Sequence, residues 1–462
     1  MLNTLPNLLA LYIPLGVVLG MLALLMVTRK IPFQYSIRNL LVRWKTTVMT
    51  ATAFTVVVFL LTIMIAFVGG MNRVIGKSAQ PANVIVMSDG STDEVFSNIP
   101  IAEATEIEHQ PGVVWQNGRG LSSREVYVFV NQPTVGPDGR SKHRFLQIRG
   151  LEDPDIAAQV HDLELMQGGK WFSAGGVQEA KMEDGGSRTE LKAQPDSNSQ
   201  SSNHHSQSSS IEAVLGEAIA QEFGRDRGVE TLKVGDTFDL GPRRWLVVGI
   251  MRATGSAFGS EVWAKRSIVG ETFGKQNIYT SLVLRTSDGE SAKTLADHLS
   301  HGYKKSALQA TTEPEYYSKL GEAAEQLLGA IFMVAIIMAI GGVFGVMNTM
   351  FAAIAQRASD IGVLRILGFA RWQILASFML ESLAIALIGG VLGCILGYLV
   401  NGVSASTMVG SNDGVPKSVI FEMVVEPNTL ALGLLFTLIM GALGGLLPAW
   451  TAMRLRPLES LR

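Results

Sequence analysis

Cysteine and charge are what this chain has least of. Cys394 is the single cysteine among 462 residues, and it lies inside an apolar run, so no intrachain disulfide can form. Any region outside the cell therefore has to hold together by its own core, which about 250 residues can do. Charged residues make up only 17% of the chain, against about 25% in ordinary soluble proteins, which argues against a cytosolic enzyme. An excess of positive charge is missing too. The formal net charge is −2, whereas a nucleic-acid binder usually presents a basic face. Catalytic signatures are also absent: the chain contains neither G-x-S-x-G nor H-E-x-x-H. The nearest approach to a phosphate cradle, GETFGKQ from Gly270 to Gln276, is one residue short between its glycines. It also lacks the Ser or Thr that would hold magnesium.

What is present is apolar length. A membrane-spanning helix needs about 20 mostly apolar residues, and five runs qualify: Leu8–Val27, Thr46–Val68, Leu327–Ala353, Ile374–Val400 and Leu430–Trp450. In the first run the basic residues follow the apolar stretch, and no small-residue cleavage site is evident, which reads as an uncleaved anchor. None of the runs contains Asp or His, and Glu381 is their one carboxylate. That excludes intramembrane aspartyl or metal-dependent proteolysis and leaves little for proton-coupled transport.

Lys and Arg beside the spans set orientation. Arg29, Lys30, Arg38, Arg43 and Lys45 lie between the first two spans with no acid among them. Arg357, Arg365 and Arg371 lie between the third and fourth against Asp360 alone, and the tail holds Arg454, Arg456 and Arg462 against Glu459. Five alternating spans put all three segments in the cytoplasm. The stretch 70–326 and the acidic loop 401–428 are then outside.

The outside region reads as mixed α and β. Strand-like runs rich in branched or aromatic residues occur at Asn83–Met87, Glu125–Val130, Phe145–Arg149, Trp245–Met251 and Ser281–Leu284, with helical patches at Glu212–Glu222 and Ser291–His301. Residues 178–210 are Ser, Gln, Asn, Gly and charge, which cannot bury enough surface to fold. This predicts a disordered insertion, and His204 and His205 within it read as linker. The segment Gly255–Trp263 reads either as a flexible tip offering Phe258 to a partner or as a hairpin turn. The resulting partition is an anchor over 1–28, a basic segment and second span over 29–69, and an α+β domain over 70–326. A three-span domain with a cytoplasmic loop at 356–372 follows over 327–452, then a tail over 453–462.

The most informative stretch is Gln356–Glu381, QRASDIGVLRILGFARWQILASFMLE. Ile361, Leu364 and Leu367 recur at helical spacing, Gly368 stands where that helix would end, and Arg365 and Arg371 flank it. Such an element suits the membrane interface and equally a groove on a cytoplasmic partner. The arginines also serve simply as topology residues. Glu381 lies about two turns into its span, where it either pairs with a basic residue or reaches water. Gly389, Gly393 and Gly397 repeat every four residues, echoed by Gly341/Gly345 and Gly441/Gly445. Small residues at this spacing let helices approach closely, within one subunit or between two.

This stretch resembles the signature of the FtsX-like permease family of ABC transporters, the MacB and LolC/LolE type. Arg357, Asp360-Ile361-Gly362, Leu364-Arg365, Leu367-Gly368, Arg371 and Ile374 follow its R-x-x-E-I-G-x-L-R-A-L-G-A-x-R-x-x-I pattern, and Glu381 matches the glutamate it carries a few residues into the span. Asp360 replaces the usual glutamate, and Ile366 and Phe369 replace small residues. Pro448-Ala449, Ala452, Arg454, Pro457 and Leu461-Arg462 resemble its close. Ile37 to Leu40 resemble its start, and Ala213–Ala220, Val234–Phe238 and Trp245–Ile250 resemble a MacB-type periplasmic core.

The resemblance implies a multi-pass α-helical membrane protein with four family spans plus one extra, and a large extracytoplasmic α+β domain. It implies an inner-membrane permease subunit without a nucleotide site or bound cofactor of its own, which dimerises with itself or a relative, contacts lipid and has no dealings with nucleic acid. A separate cytoplasmic ABC ATPase would use the ATP, docking on Arg357, Asp360, Gly362, Arg365, Gly368 and Arg371. An amphiphilic substrate (lipoprotein, peptide or small molecule) and a periplasmic adaptor fit the same picture. Two rivals stand beside it: a regulator of a cell-wall-remodelling partner that transports nothing, and a membrane-anchored receptor or scaffold.

Overall fold

The computed structural model describes residues 44–135, 141–178, 209–241, 243–253, 255–409 and 417–454, together with residue 16. The run Leu8–Val27, the tail beyond Arg454 and nearly all of the Ser/Gln/Asn-rich stretch, with His204 and His205, lie outside the described residues. The chain divides into two compact units, residues 1–72, 324–405 and 422–462 in one and residues 73–323 and 406–421 in the other.

Among the described residues, four helices are long and apolar enough to cross a membrane: α1 (Trp44–Ser78), part of α7 (Glu313–Gln356), α9 (Arg371–Tyr398) and α10 (Pro427–Arg454). Two of the spans read from hydropathy lie within much longer helices, since α1 continues to Ser78 and α7 starts at Glu313. Phe54, Met350, Ile374, Phe378, Ile385 and Met440 meet in one apolar cluster. Because lipid is as apolar as these side chains, close backbone approach has to hold the bundle. A Cβ on Gly389 would stand 2.6 Å from the Ala51 carbonyl oxygen, one on Gly393 2.7 Å from Val58 Cβ, and one on Gly397 2.6 Å from Thr62 Cγ2. The glycine repeat is thus a seam inside the subunit, joining α9 to α1, and Thr55 Oγ1 donates across it to the Gly389 carbonyl at 3.1 Å. Gly341 and Gly345 on α7 have nothing within 4 Å.

The larger unit is built on a mixed sheet. Its main strands are β1 (Asn83–Ser88), β2 (Ser122–Val135), β3 (Ser141–Leu151), β4 (Ser210–Gly216), β5 (Thr237–Leu240), β6 (Arg243–Arg252), β7 (Glu261–Lys265), β8 (Ser281–Arg285) and β9 (Leu308–Thr312). They lie in the order β5-β6-β4-β7-β3-β2-β8-β1-β9. The pairs β4/β6 and β3/β7 are parallel and the others antiparallel. Helices α2 (Ile101–Glu108), α3 (Pro154–His161), α4 (Glu217–Asp226), α5 (Arg266–Phe273) and α6 (Gly289–Asp297) flank it.

Alternation assigns the faces. Val84, Val126, Val128, Ile148, Val262 and Leu282 point into the main core. Leu151, Val214, Phe258 and Trp263 fill a second core on the opposite face. Residues 210–216 correct the helix expected over Glu212–Glu222. Ile211, Ala213, Val214 and Leu215 are all buried in a strand with neighbours on both edges, and the helix starts only at Glu217. Such a mostly apolar run suits a central strand as well as a helix. Gly255–Trp263 is neither an exposed tip nor a hairpin. Its 3-10 turn Ala257–Ser260 links β6 to β7, which flank β4 on opposite sides, and Phe258 is buried.

Candidate functional site

Between α7 and α9 the chain forms a short helix, α8 (Ala358–Ile366). Gly368, at φ 96°, reverses the backbone, and the Phe369 N–H donates to the Leu364 carbonyl at 3.1 Å, closing the helix end. The Ala370 N–H then donates to Gln373 Oε1 at 2.7 Å, which starts α9. At the other end, Arg357 Nη1 donates to Glu381 Oε2 at 3.1 Å, with both side chains buried. This contact ties the residue before α8 to the third turn of α9, so the one carboxylate of the spans is met by the first arginine of the motif.

The apolar residues of α8 divide differently from the pattern read in the sequence. Ile361 is buried in the bundle cluster, whereas Leu364 is half-buried and Leu367 is 70% exposed. Gly362 is buried beside Ile361. Val363, Ile366 and Trp372 are also exposed, Ile366 at 62%, and Arg371 and Asp360 stand out in solvent with them. Arg365 turns back toward its own chain and donates to the Phe369 carbonyl at 3.5 Å. The element therefore shows an apolar surface with a basic end, seated by Ile361 and the Arg357–Glu381 pair. Apolar side chains grouped on a surface in this way mark a place of contact with something else.

The phosphate-cradle look-alike is a helix end. Residues 266–273 form α5, Gly274 caps it at φ 74°, and Lys275 Nζ donates to the Val95 carbonyl at 2.6 Å. Burial pushes the Lys275 ammonium below its ordinary range.

A second constellation escaped the sequence reading altogether. On the second face of the sheet, Arg149 of β3 is buried among three carboxylates. Its Nη2 and Nε reach Glu261 at 2.7 and 2.8 Å, its Nη1 reaches Glu94 at 3.3 Å, and the same Nη1 bonds Glu125. The guanidinium lies over the Tyr127 ring at 4.6 Å and near Phe258 at 5.7 Å. His161, the last residue of α3, contacts Glu125 through Nε2 at 2.7 Å and lies 3.6 Å from Glu313 through Nδ1. Burial alone would depress the imidazolium, but Glu125 and Glu313 outweigh it and hold His161 up at about 9. Burial likewise pushes the Glu125 carboxyl up, yet Arg149 and His161 together carry it below its usual range.

Residues 47–301 match the family model of the MacB-like periplasmic core domain, more than half the chain, and residues 332–457 match that of the FtsX-like permease C-terminal region. An uncharacterized ABC transporter permease of Methanocaldococcus jannaschii is 29% identical over 239 residues, covering 50% of this chain and 58% of that one. The uncharacterized ABC transporter permease YknZ of Bacillus subtilis is 26% identical over 254 residues, 53% of this chain and 60% of that one. The macrolide export ATP-binding/permease protein MacB of Vibrio parahaemolyticus is 23% identical over 399 residues, 83% of this chain and 55% of that one. The chain thus spans between half and two thirds of the length of these relatives.

Proposed function

Because the chain belongs to the family of the MacB-like periplasmic core domain and carries the FtsX-like permease C-terminal region, we propose that it is the permease of an ABC transporter, worked by an ATPase that docks on α8. The observation that carries this reading is the exposed surface of Val363, Ile366, Leu367, Arg371 and Trp372 on an element fixed from behind by the buried Arg357–Glu381 pair. A surface held this firmly passes a push into the bundle instead of absorbing it.

The mode of action is mechanical. α7 is one unbroken helix of 44 residues from Glu313 to Gln356, about 66 Å at the usual rise per residue. It joins the last strand of the extracytoplasmic domain directly to the residue before Arg357. Nucleotide-driven closure of the ATPase would shift α8, and each state would be favoured only by its differential contacts at that dock. The relatives' name states macrolide export, and we extend it to an amphiphilic cargo as a class. A second copy of the permease, an extracytoplasmic adaptor and the inner membrane belong to the same reading. The span of α7, only 11% buried within the chain, leaves surface for lipid and for that second copy.

The test is affinity purification of the detergent-solubilised chain, unaltered and with Ile366→Asp and Leu367→Asp together, scored for a co-purifying ABC ATPase. The reading expects the ATPase with the unaltered chain and its loss from the double variant at an unchanged melting temperature. An ATPase retained by both moves the dock away from α8. No ATPase with either rejects the permease reading.

A further inference from the structure

Three stretches of the larger unit lead along the chain to the membrane helices: the end of α1, the start of α7, and the hairpin formed by β10 (Ser404–Val409) and β11 (Lys417–Glu422), which joins α9 to α10. All three arrive at one place. Ser78 Oγ, at the end of α1, accepts from the Ala257 N–H at 2.7 Å. Ser260 Oγ accepts from the Ile420 N–H of β11 at 2.9 Å. Glu313, the first residue of α7, accepts from the Gln80 N–H at 2.7 Å and from Asn83 Nδ2 at 3.0 Å, and faces His161. Between the two serines, Phe258 packs tilted against the His161 ring at 4.7 Å and edge-on against Trp263 at 6.0 Å. The turn Ala257–Ser260 is thus held by two of the incoming stretches and, through Phe258 and His161, by the third.

We propose that this turn and the charge cluster beneath it are the joint through which movement of the membrane helices enters the extracytoplasmic domain, with Phe258 and His161 as positioning residues; the proposal rests on the mechanical reading above. Chemistry sets the joint apart from ordinary core. Four buried carboxylates, Glu94, Glu125, Glu261 and Glu313, surround two cations, Arg149 and His161, with Asp93 and Tyr316 also buried nearby. Apolar side chains of equal volume would serve stability at least as well. A hydrogen-bonded cluster instead has discrete arrangements, and a two-state element is what coupling between distant sites requires. His161 bonds the sheet through Glu125 with one ring nitrogen and faces α7 through Glu313 with the other, so a shift of α7 reaches β2 through one imidazole.

The test is hydrogen–deuterium exchange on the purified full-length chain carrying Phe258→Ala, with His161→Gln as a milder second variant and Leu146→Ala, in the main core, as control. The joint predicts exchange about tenfold faster in all three incoming stretches, residues 78–83, 313–319 and 417–421, with β5 and β6 unchanged. Faster exchange confined to residues 255–260, or spread evenly over the sheet as in the control, overturns it. Should Phe258→Ala fail to fold, His161→Gln decides alone through residues 78–83 and 313–319. This measurement needs no ATPase, so it can fail while the co-purification above succeeds, and the reverse.

Discussion

Arg357 and Arg149 are both buried arginines, one in each unit, and they are held in different ways. Arg357 meets a single carboxylate, Glu381, at 3.1 Å. Arg149 meets Glu94, Glu125 and Glu261 and lies over aromatic rings. The first is a balanced pair within one helical bundle. Removing both members takes out the charge together with its counter-charge. The second is over-supplied with acid, so removing its arginine leaves carboxylates facing one another in a dry place. Either set replaced whole by apolar side chains keeps a packed core, but a cluster with surplus acid cannot lose its arginine alone without stranding buried charge.

The largest expected effect tests that contrast directly. Arg149→Met strands buried carboxylates and is expected to cost about 3–5 kcal/mol, enough to abolish the folding transition of the extracytoplasmic domain seen by calorimetry. Arg357→Met alone should also destabilise, but Arg357→Met combined with Glu381→Leu should recover most of the loss. A double variant no better than the single one breaks the comparison.

A smaller effect follows from His161, whose imidazolium is held at about 9 against an ordinary 6.5. The folded value is the raised one, so its contribution is complete below about 6.5 and is lost as the pH climbs through about 9. The span of that shift is worth roughly 3 kcal/mol. Melting temperature should therefore fall between pH 7 and pH 10 in the native chain, and His161→Gln should flatten that slope.

Smallest is Gly393→Ala. The new methyl would stand 2.7 Å from Val58 Cβ and 2.8 Å from the Thr55 carbonyl oxygen, an overpacking cost of about 1–3 kcal/mol. Gly345→Ala, with open space around it, should melt like the native chain. Equal losses at both positions would show that the seam is not where α9 meets α1.

The same two arginines show what was legible beforehand. Glu381 stands out because it is the lone acid in its span, and a charge there demands a partner; Arg357, 24 residues before it, was already singled out by the motif. The cluster around Arg149 hides in plain alternation. Ser123, Glu125 and Tyr127 alternate with Val126 and Val128, and Glu261 and Trp263 alternate with Val262 and Ala264. That period-two pattern ordinarily means one face in water, yet here both faces are covered. Its members are also scattered from Glu94 to Glu313, and no local spacing connects them. The strands at 83, 125, 145, 245 and 281 were readable from branched and aromatic residues, whereas β4 was mistaken for helix because a fully buried strand has no alternation. The loop 401–428 could be placed outside from its charge, but the membership of residues 406–421 in the larger unit depends on contacts such as Ile420 with Ser260.

That an ATPase engages α8 is the proposal on which the mechanical reading rests. The most direct test places a photo-crosslinker on Leu367→Cys in a Cys394→Ser background, in native membranes, and identifies the adduct by mass spectrometry. The account predicts an adduct with an ABC ATPase, formed from Leu367→Cys and absent when the label is moved to Val234→Cys in the extracytoplasmic domain. A Leu367 label that crosslinks only to lipid, or to the permease itself, would contradict it.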